Sequence, residues 1–396
     1  MPLPLDNIRV LDLSRVLAGP YCTMMLGDLG AEVIKVERPG LGDDTRQWGP
    51  PFVSGESAYY LCCNRNKQSL TLNLKTDAGR DLAAKLAETS DVLVENFLPG
   101  TLDGWGLSYA ELSRRNPRLV YCSITGFGQS GPRRDEPGYD IMVQALSGVM
   151  SFTGEPDGVP MKVGVAISDI TAGIFASNSI MAALLARERT GRGDRIDVAL
   201  FDSTIAWLAN VGSNYLVSGE VPRRLGTAHP SIVPYQAFQA ADDSLIIAVG
   251  NDGQFVKFCA AIGRPDLATD PRFTANGLRV QNREQLIPLI AADIARRPTA
   301  EWLEKLEQAG VPCSRVNTVD RAFHEPQAVA RDMLIEVRHP TIGPLKMAGS
   351  PLKLASIEHP PRRPPPLLGE HTAAVLRDVL GFSADEIQRL KDGKVV

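Results

Sequence analysis

Short, β-rich runs alternating with helical stretches fill the first third of the chain, and this alternation constrains the fold more than any other feature. Residues 8–13, 32–37, 69–74, 91–95 and 119–124 each read as a strand. Between the first two, Gly19-Pro20 opens a helical pattern that runs to Leu29, with proline in the first turn, where its missing N–H costs nothing. Thr76-Asp77 caps another helix, with Leu82, Leu86 and Ala87 at helical spacing. Residues 42–57 read as a long polar loop. Strands separated by helical patterns of about 10–15 residues imply βαβ units and a parallel sheet. The expected fold class is α/β, with a doubly wound, Rossmann-like large domain.

The character changes near residue 225. Segments 235–239 and 245–249 flank Ala240-Ala241-Asp242-Asp243-Ser244 as a hairpin, and helical stretches follow at 254–262 and 299–309, so a smaller α+β domain is expected here. Residues 359–366 (HPPRRPPP) read as an extended, polyproline-like connector, and helices are expected at 371–380 and 383–392.

Charge removes several function classes. The 42 Lys and Arg against 46 Asp and Glu leave a formal charge of −4, with no basic excess for a phosphate backbone, so nucleic acid is not an expected partner. The longest apolar stretch, 170–186, contains Thr171, Ser177, Asn178 and Ser179, which suits a buried helix better than a membrane span. The first residues show no secretory or organellar leader pattern, and a cytoplasmic location is expected. The six cysteines form no C-x-x-C pair and read as small buried residues. The five histidines show no metal-binding spacing, and neither G-x-S-x-G nor a P-loop occurs, so no metal is expected.

Two local patterns carry chemistry. Gly126-Phe127-Gly128-Gln129-Ser130-Gly131 matches G-x-G-x-x-G after a strand, but Pro132, Pro137 and Gly138 follow where a dinucleotide fingerprint needs a helix, so it reads as a lid-like glycine loop. Asp169 stands at the head of the long apolar helical pattern. Its carboxylate suits a helix cap held ionised by the helix dipole, and an ionised carboxylate there also suits a nucleophile.

Several ordered stretches together resemble one family: VLAGP at 16–20, LGDLGAEVIKVE at 26–37, GDDTR at 42–46, NRNK at 64–67, LNLK at 72–75, VENF at 94–97 and SITGFG at 123–128, with Asp169 following. The chain resembles the class III CoA-transferases, the formyl-CoA and carnitine CoA-transferase family, from about Ile8 to the last helix. Within it, residues 226–238 and 363–369 are most similar to dicarboxylate CoA-transferases of the succinyl-CoA:glutarate type.

The resemblance implies a large α/β CoA-binding domain over 1–210, a small α+β domain over 225–330, and a segment 335–396 returning to the large domain. It also implies an interlocked homodimer. The reaction it implies moves CoA from a donor such as succinyl-CoA to a short dicarboxylic acid through an aspartyl anhydride and an aspartyl-CoA thioester, with CoA as substrate and no permanent cofactor. Asp169 is the implied nucleophile. Leu17, Ala18, Arg38, Leu72, Asn73, Lys75, Asn96, Phe97, Tyr139 and Asp140 are the implied CoA contacts. Arg46, Gly126, Gly128 and His229 are implied near the acceptor acid, and Arg65, Arg133 and Arg134 join Arg46 as candidates for the distal carboxylate. Leu17 stands where formyl-CoA transferases carry Gln, which argues against oxalate. The alternative on this fold, α-methylacyl-CoA racemase-like isomerisation, needs a His where this chain has Tyr139, and a neutral phenol is a poor partner for carbon-acid exchange.

Overall fold

A computed structural model describes residues 2–355, 357 and 362–396. Its main sheet has six parallel strands: β1 (Arg9–Asp12), β2 (Glu32–Glu37), β3 (Lys67–Thr71), β4 (Val92–Glu95), β5 (Val120–Thr125) and β6 (Arg195–Ala199). Their spatial order is β3-β2-β1-β4-β5-β6. The order reverses between β1 and β4, where a doubly wound sheet opens a crevice beyond the carboxyl ends of its strands. The sequence reading missed β6, an edge strand whose charged Arg195 and Asp197 break the apolar signal.

Alternating side chains load both faces of this sheet. Val10, Val92, Val94, Val120 and Cys122 point to one side, under α1 (Ala18–Asp28), and Leu11, Ile34, Val36, Leu93 and Tyr121 point to the other, under α2 (Asp77–Glu88) and α3 (Tyr109–Arg115). On the first side α4 (Asp140–Leu146) and α5 (Ile167–Thr190) complete the layer with Val143, Ala172, Ala176 and Ile180. On the second, C-terminal helices Thr372–Leu380 and Ala384–Asp392 add Val375, Leu376 and Ile387. The chain end thus closes a layer begun by its first hundred residues. Each large apolar side chain so buried contributes about 1.5–3 kcal/mol.

The chain divides into two compact units: 1–149, 162–217 and 326–396 form the larger, and 150–161 with 218–325 the smaller. The segment 150–161 was expected in the large domain but groups with the small one. Within the smaller unit the hairpin Tyr235–Gln239 and Ser244–Ala248 gains a third strand, Cys313–Arg315, too short to register as a pattern. Phe255, Phe258, Leu286, Ile290 and Trp302 fill its core. A further hairpin, Leu334–His339 with Gly343–Ala348, belongs to the larger unit and was not foreseen. Of the expected connector, His359, Pro360 and Pro361 lie outside the described residues; 362–366 form neither helix nor strand. The loop at 42–57 contains a short 3-10 turn, Asp44–Gln47, and two-residue strands at 52–53 and 56–57.

Two burial expectations need correction. Cys62 is exposed and Cys313 half-buried, whereas the other four cysteines are buried. Helix α5 runs 24 residues and is long and apolar enough to cross a membrane by length and composition. Only 39% of its most apolar window is buried, so the small residues that pack on α1 occupy one side while Ile174, Phe175 and Leu185 face outward.

Candidate active site

Two adjoining cavities lie in the larger unit at the carboxyl ends of β1, β2, β4 and β5. The first, about 160 Å³, is lined by Arg38, Leu72, Asn73, Lys75, Phe97 and Trp105 among others. The second, about 420 Å³, is lined by Val16, Ala18, Asn96, Phe97, Tyr139, Asp140 and Asp169 among others. Arg15, Asp44 and Phe97 border both. The first cavity sets Arg15, Lys35, Arg38 and Lys75 beside Glu37, Asp43, Asp44 and an apolar wall, the second holds Asp140 and Asp169, and a long ligand with an anionic head and a reactive tail fits the pair.

The boundary between them is built from the turn after β1. Asn96, just past β4, accepts a hydrogen bond from the Arg15 N–H at 2.9 Å and donates one to the Arg15 carbonyl at 2.7 Å. The Arg15 guanidinium lies 5.5 Å from the Phe97 ring centroid and 3.0 Å from Asp44, and Arg38 reaches the same carboxylate at 3.8 Å. Half-exposed, both arginines keep donors free for an anion. Phe97 stacks edge-on against Trp105 at 5.3 Å, closing the apolar wall.

Asp169 is the third residue of α5, because the helix starts at Ile167 rather than at 170. It does not cap that helix. Asp140 does so instead, accepting from the Ser168 N–H at 2.9 Å while its other oxygen accepts from Gln144 at 2.7 Å. Gln144 in turn accepts from the Val163 N–H at 2.8 Å. Asp169 is therefore free of structural duty and faces the cavity. Burial, then the charge of Asp140, pushes its carboxyl up to about 7, against the smaller opposing pull of the Ala18 N–H at the start of α1. The sequence leads to the expectation of a carboxylate held ionised at a helix start; here burial and the neighbouring Asp140 charge both oppose ionisation. Tyr59 is raised to about 12 by burial and by Asp169, which places that phenol in the field of the same carboxylate.

Several expected residues lie elsewhere. The Leu17 side chain is buried against Met24 and Cys63 and leaves the cavity wall to its neighbours Val16 and Ala18. Arg46 is buried and bidentate to Glu37 at 2.7 and 2.8 Å, and Arg65 is bound to the buried Asp28, so neither is free for substrate. Arg133 and Arg134 pair with Glu136 and Asp135 on the surface. Gly126 lines the second cavity, but Gly128 does not; its N–H donates to Thr125. Gly126 is required for a different reason: a Cβ there would come within 2.4 Å of the Gly138 Cα, so the two glycines let the loop cross close to the Tyr139 turn. His229 belongs to the smaller unit, its Nδ1 accepting from the Ser231 N–H and its ring 5.3 Å from Tyr235.

Sequence reasoning overlooked Arg15, Val16, Trp48 and Tyr59. Arg15 and Val16 adjoin the recognised VLAGP stretch, and that adjacency was the one available signal. Trp48 and Tyr59 sit in the stretch taken for a polar loop and the helical turn after it, and meet edge-on at 5.2 Å.

The family model for CoA-transferase family III matches residues 5–372. The chain belongs to CoA-transferase family III. It is 46% identical over 98% of its length to the succinyl-CoA:glutarate CoA-transferase of Mus musculus, covering 89% of that protein. It is 45% identical over 95% of its length to the succinate–glutarate CoA-transferase of Agrobacterium fabrum, covering 96%. A CAIB/BAIF family protein from Brucella suis superposes with a TM-score of 0.86 at 44% identity, over 96% of this chain and all of that one. This family III CoA-transferase is thus an enzyme of the transferase class, with the mixed α/β fold of its relatives.

Proposed function

We propose that this family III CoA-transferase moves CoA from succinyl-CoA to a short dicarboxylic acid, glutarate foremost, with Asp169 as nucleophile. The observation that carries the reading is the placement of Asp169. It is a carboxylate with no structural task, poised near neutrality, in a cavity adjoining one lined by Arg38 and Lys75. The relatives that are 45–46% identical act on succinyl-CoA or succinate and glutarate by name, which supports the choice of substrates.

An Asp169 oxygen attacks the donor thioester carbon, the C–S bond breaks, and the electron pair leaves on the CoA thiolate. The resulting anhydride is attacked at the aspartyl carbonyl by that thiolate, which releases succinate and leaves an aspartyl-CoA thioester. The acceptor carboxylate then attacks this thioester, expelling thiolate, and the thiolate takes the acceptor's acyl carbon and frees Asp169. Carboxylates and one thioester are present at the start and at the end, so no redox or proton balance is left over. The Ala18 N–H is placed to donate to oxygen charge developing at the aspartyl carbonyl. Arg38, Lys75 and Arg15 offer cations to the phosphates, while Leu72, Phe97 and Trp105 offer apolar surface to the adenine.

Purified protein mixed with succinyl-CoA and, separately, glutarate, itaconate, mesaconate, malate, oxalate and an unbranched monocarboxylate is expected to yield new CoA esters of the dicarboxylates, glutarate first, read by mass. Exchange with oxalate alone, or with none of the acids, would overturn the assignment.

The reading includes a homodimer. Ile174, Phe175 and Leu185 on α5 and Trp207, Tyr215, Leu216 and Val217 beyond β6 are large apolar side chains exposed in the single chain, which a second copy would cover. Light scattering on the eluting protein is expected to give twice 42.8 kDa, and a monomer mass at micromolar concentration would refute it.

A further inference from the structure

A network of fully buried charges lies beneath the turn that presents Ala18, and the chemistry above does not use it. The Lys35 ammonium, on β2, lies 2.8 Å from Asp43 and donates to the Ser14 carbonyl at 2.9 Å; both charged side chains are inaccessible to solvent. Asp43 also receives the Val16 N–H at 3.3 Å on each oxygen, and the Thr45 N–H and hydroxyl at 3.0 and 2.8 Å. Glu37 accepts from the Asp43 N–H at 3.0 Å, which fixes the carboxylate's own backbone.

What this network holds is unusual. Val16 has φ of 71°, the left-handed region that a β-branched side chain enters only under constraint. Two residues later, at Ala18, α1 begins; Val16, Ala18 and Asp169 line the same cavity, and the Ala18 N–H favours the ionised form of the Asp169 carboxyl. Were Val16 to relax to negative φ, the chain direction would change just ahead of Leu17 and Ala18, and that N–H would swing away from the carboxylate. The Val16 N–H and the Ser14 carbonyl, the two backbone groups that bracket the turn, are both tied to one buried ion pair.

We propose that Lys35 and Asp43 are positioning residues for the transfer reaction, clamping Val16 in its left-handed conformation so that the turn keeps the Ala18 N–H over the cavity that contains Asp169. The proposal rests on the reading of Asp169 as nucleophile, and adds two residues that border the first cavity but whose charged side chains are inaccessible to solvent and stand apart from the reacting atoms. Burying two charges is costly, and a neutral pair would fill the same space, so the arrangement makes sense as a device for fixing one conformation.

The test is Asp43→Asn, with Asp43→Asn/Val16→Gly beside it; the charge-free Lys35→Met/Asp43→Ala replaces the single variant if that does not fold. Two readouts are followed: steady-state transfer, and titration of the Asp169 carboxyl by difference infrared spectroscopy against Asp169→Asn. Asp140 and Tyr59, which face Asp169, are unchanged throughout. The clamp predicts kcat lower by about 10- to 100-fold, KM for the CoA ester within about threefold, and an Asp169 titration moved upward as it loses its donor. Glycine at 16 occupies positive φ without a Cβ penalty and is expected to restore most of the lost kcat. A folded variant whose Asp169 titration is unmoved, a loss that falls on KM, or a glycine that restores nothing would each overturn the proposal. If the wild type transfers no CoA, the functional reading fails, and the titration still decides whether the clamp acts on Asp169.

Discussion

Replacing Asp169 by asparagine or alanine is expected to lower CoA transfer by at least about a thousandfold while CoA itself still binds, because a covalent step has no substitute when its nucleophile is removed. The wild-type rate should also carry the signature of that carboxyl. Only the ionised form attacks, so kcat/KM is expected to rise about tenfold per pH unit below about 7 and to level off above it. Asp140→Asn keeps an oxygen for the Ser168 N–H but removes the like charge, and the limb should move to lower pH. The stability consequence has the opposite sense. A carboxyl raised from 3.8 to about 7 holds its proton in the folded chain when the unfolded chain has released it, so this group's contribution to stability declines as pH rises through that window. At pH 8 the Asp169→Asn protein should therefore melt above the wild type. A pH limb unchanged by Asp140→Asn, or full activity in Asp169→Asn, would remove Asp169 from the mechanism.

Arg46→Ala is expected to damage folding and leave substrate recognition intact. The guanidinium is bound to Glu37 at 2.7 and 2.8 Å, donates to the Pro366 carbonyl at 3.1 Å, and stacks 3.6 Å from the Tyr60 ring centroid. Burial would raise the Glu37 carboxyl, but the hydrogen bonds and charge of Arg46 hold it below its ordinary value. Without the arginine a buried carboxylate is left uncompensated, at a cost of about 3–5 kcal/mol. Glu37 contributes its stability above its ordinary titration range and loses it as pH falls through the depressed value, so the deficit of the variant should shrink in acid. Thermal denaturation beside KM for glutarate checks both halves. Glu37→Gln/Arg46→Met should recover much of the loss, since it leaves no charge unpaired. A stable Arg46→Ala protein with a much raised KM would instead return Arg46 to the substrate site.

These two cases mark where the sequence could be read and where it could not. The strands β1 to β5, the helix capped by Thr76 and the small-unit hairpin were legible because apolar periodicity is a local property that burial on one or both faces imposes. Edge strand β6 was not, because half of it faces solvent. The motif stretches located Arg38, Leu72 to Lys75, Asn96, Phe97, Tyr139, Asp140 and Asp169 along the walls of the two cavities. They could not tell Arg46 from Arg15. Both are arginines in loops after strands, and only the fold reveals that one is folded onto Glu37 and the other stands at the rim.

By itself, then, the sequence determined the parallel α/β architecture, the family and the carboxylate to suspect, because strand and helix periods and ordered motifs are written residue by residue along the chain. The tertiary structure alone decided which carboxylate caps α5 and which is left free, how far burial raises Asp169, and that Lys35 and Asp43 brace the strained Val16 turn. Those properties arise from groups far apart in the chain brought into one dry space. There a charge is governed by its neighbours and by the absence of water, neither of which the order of residues displays.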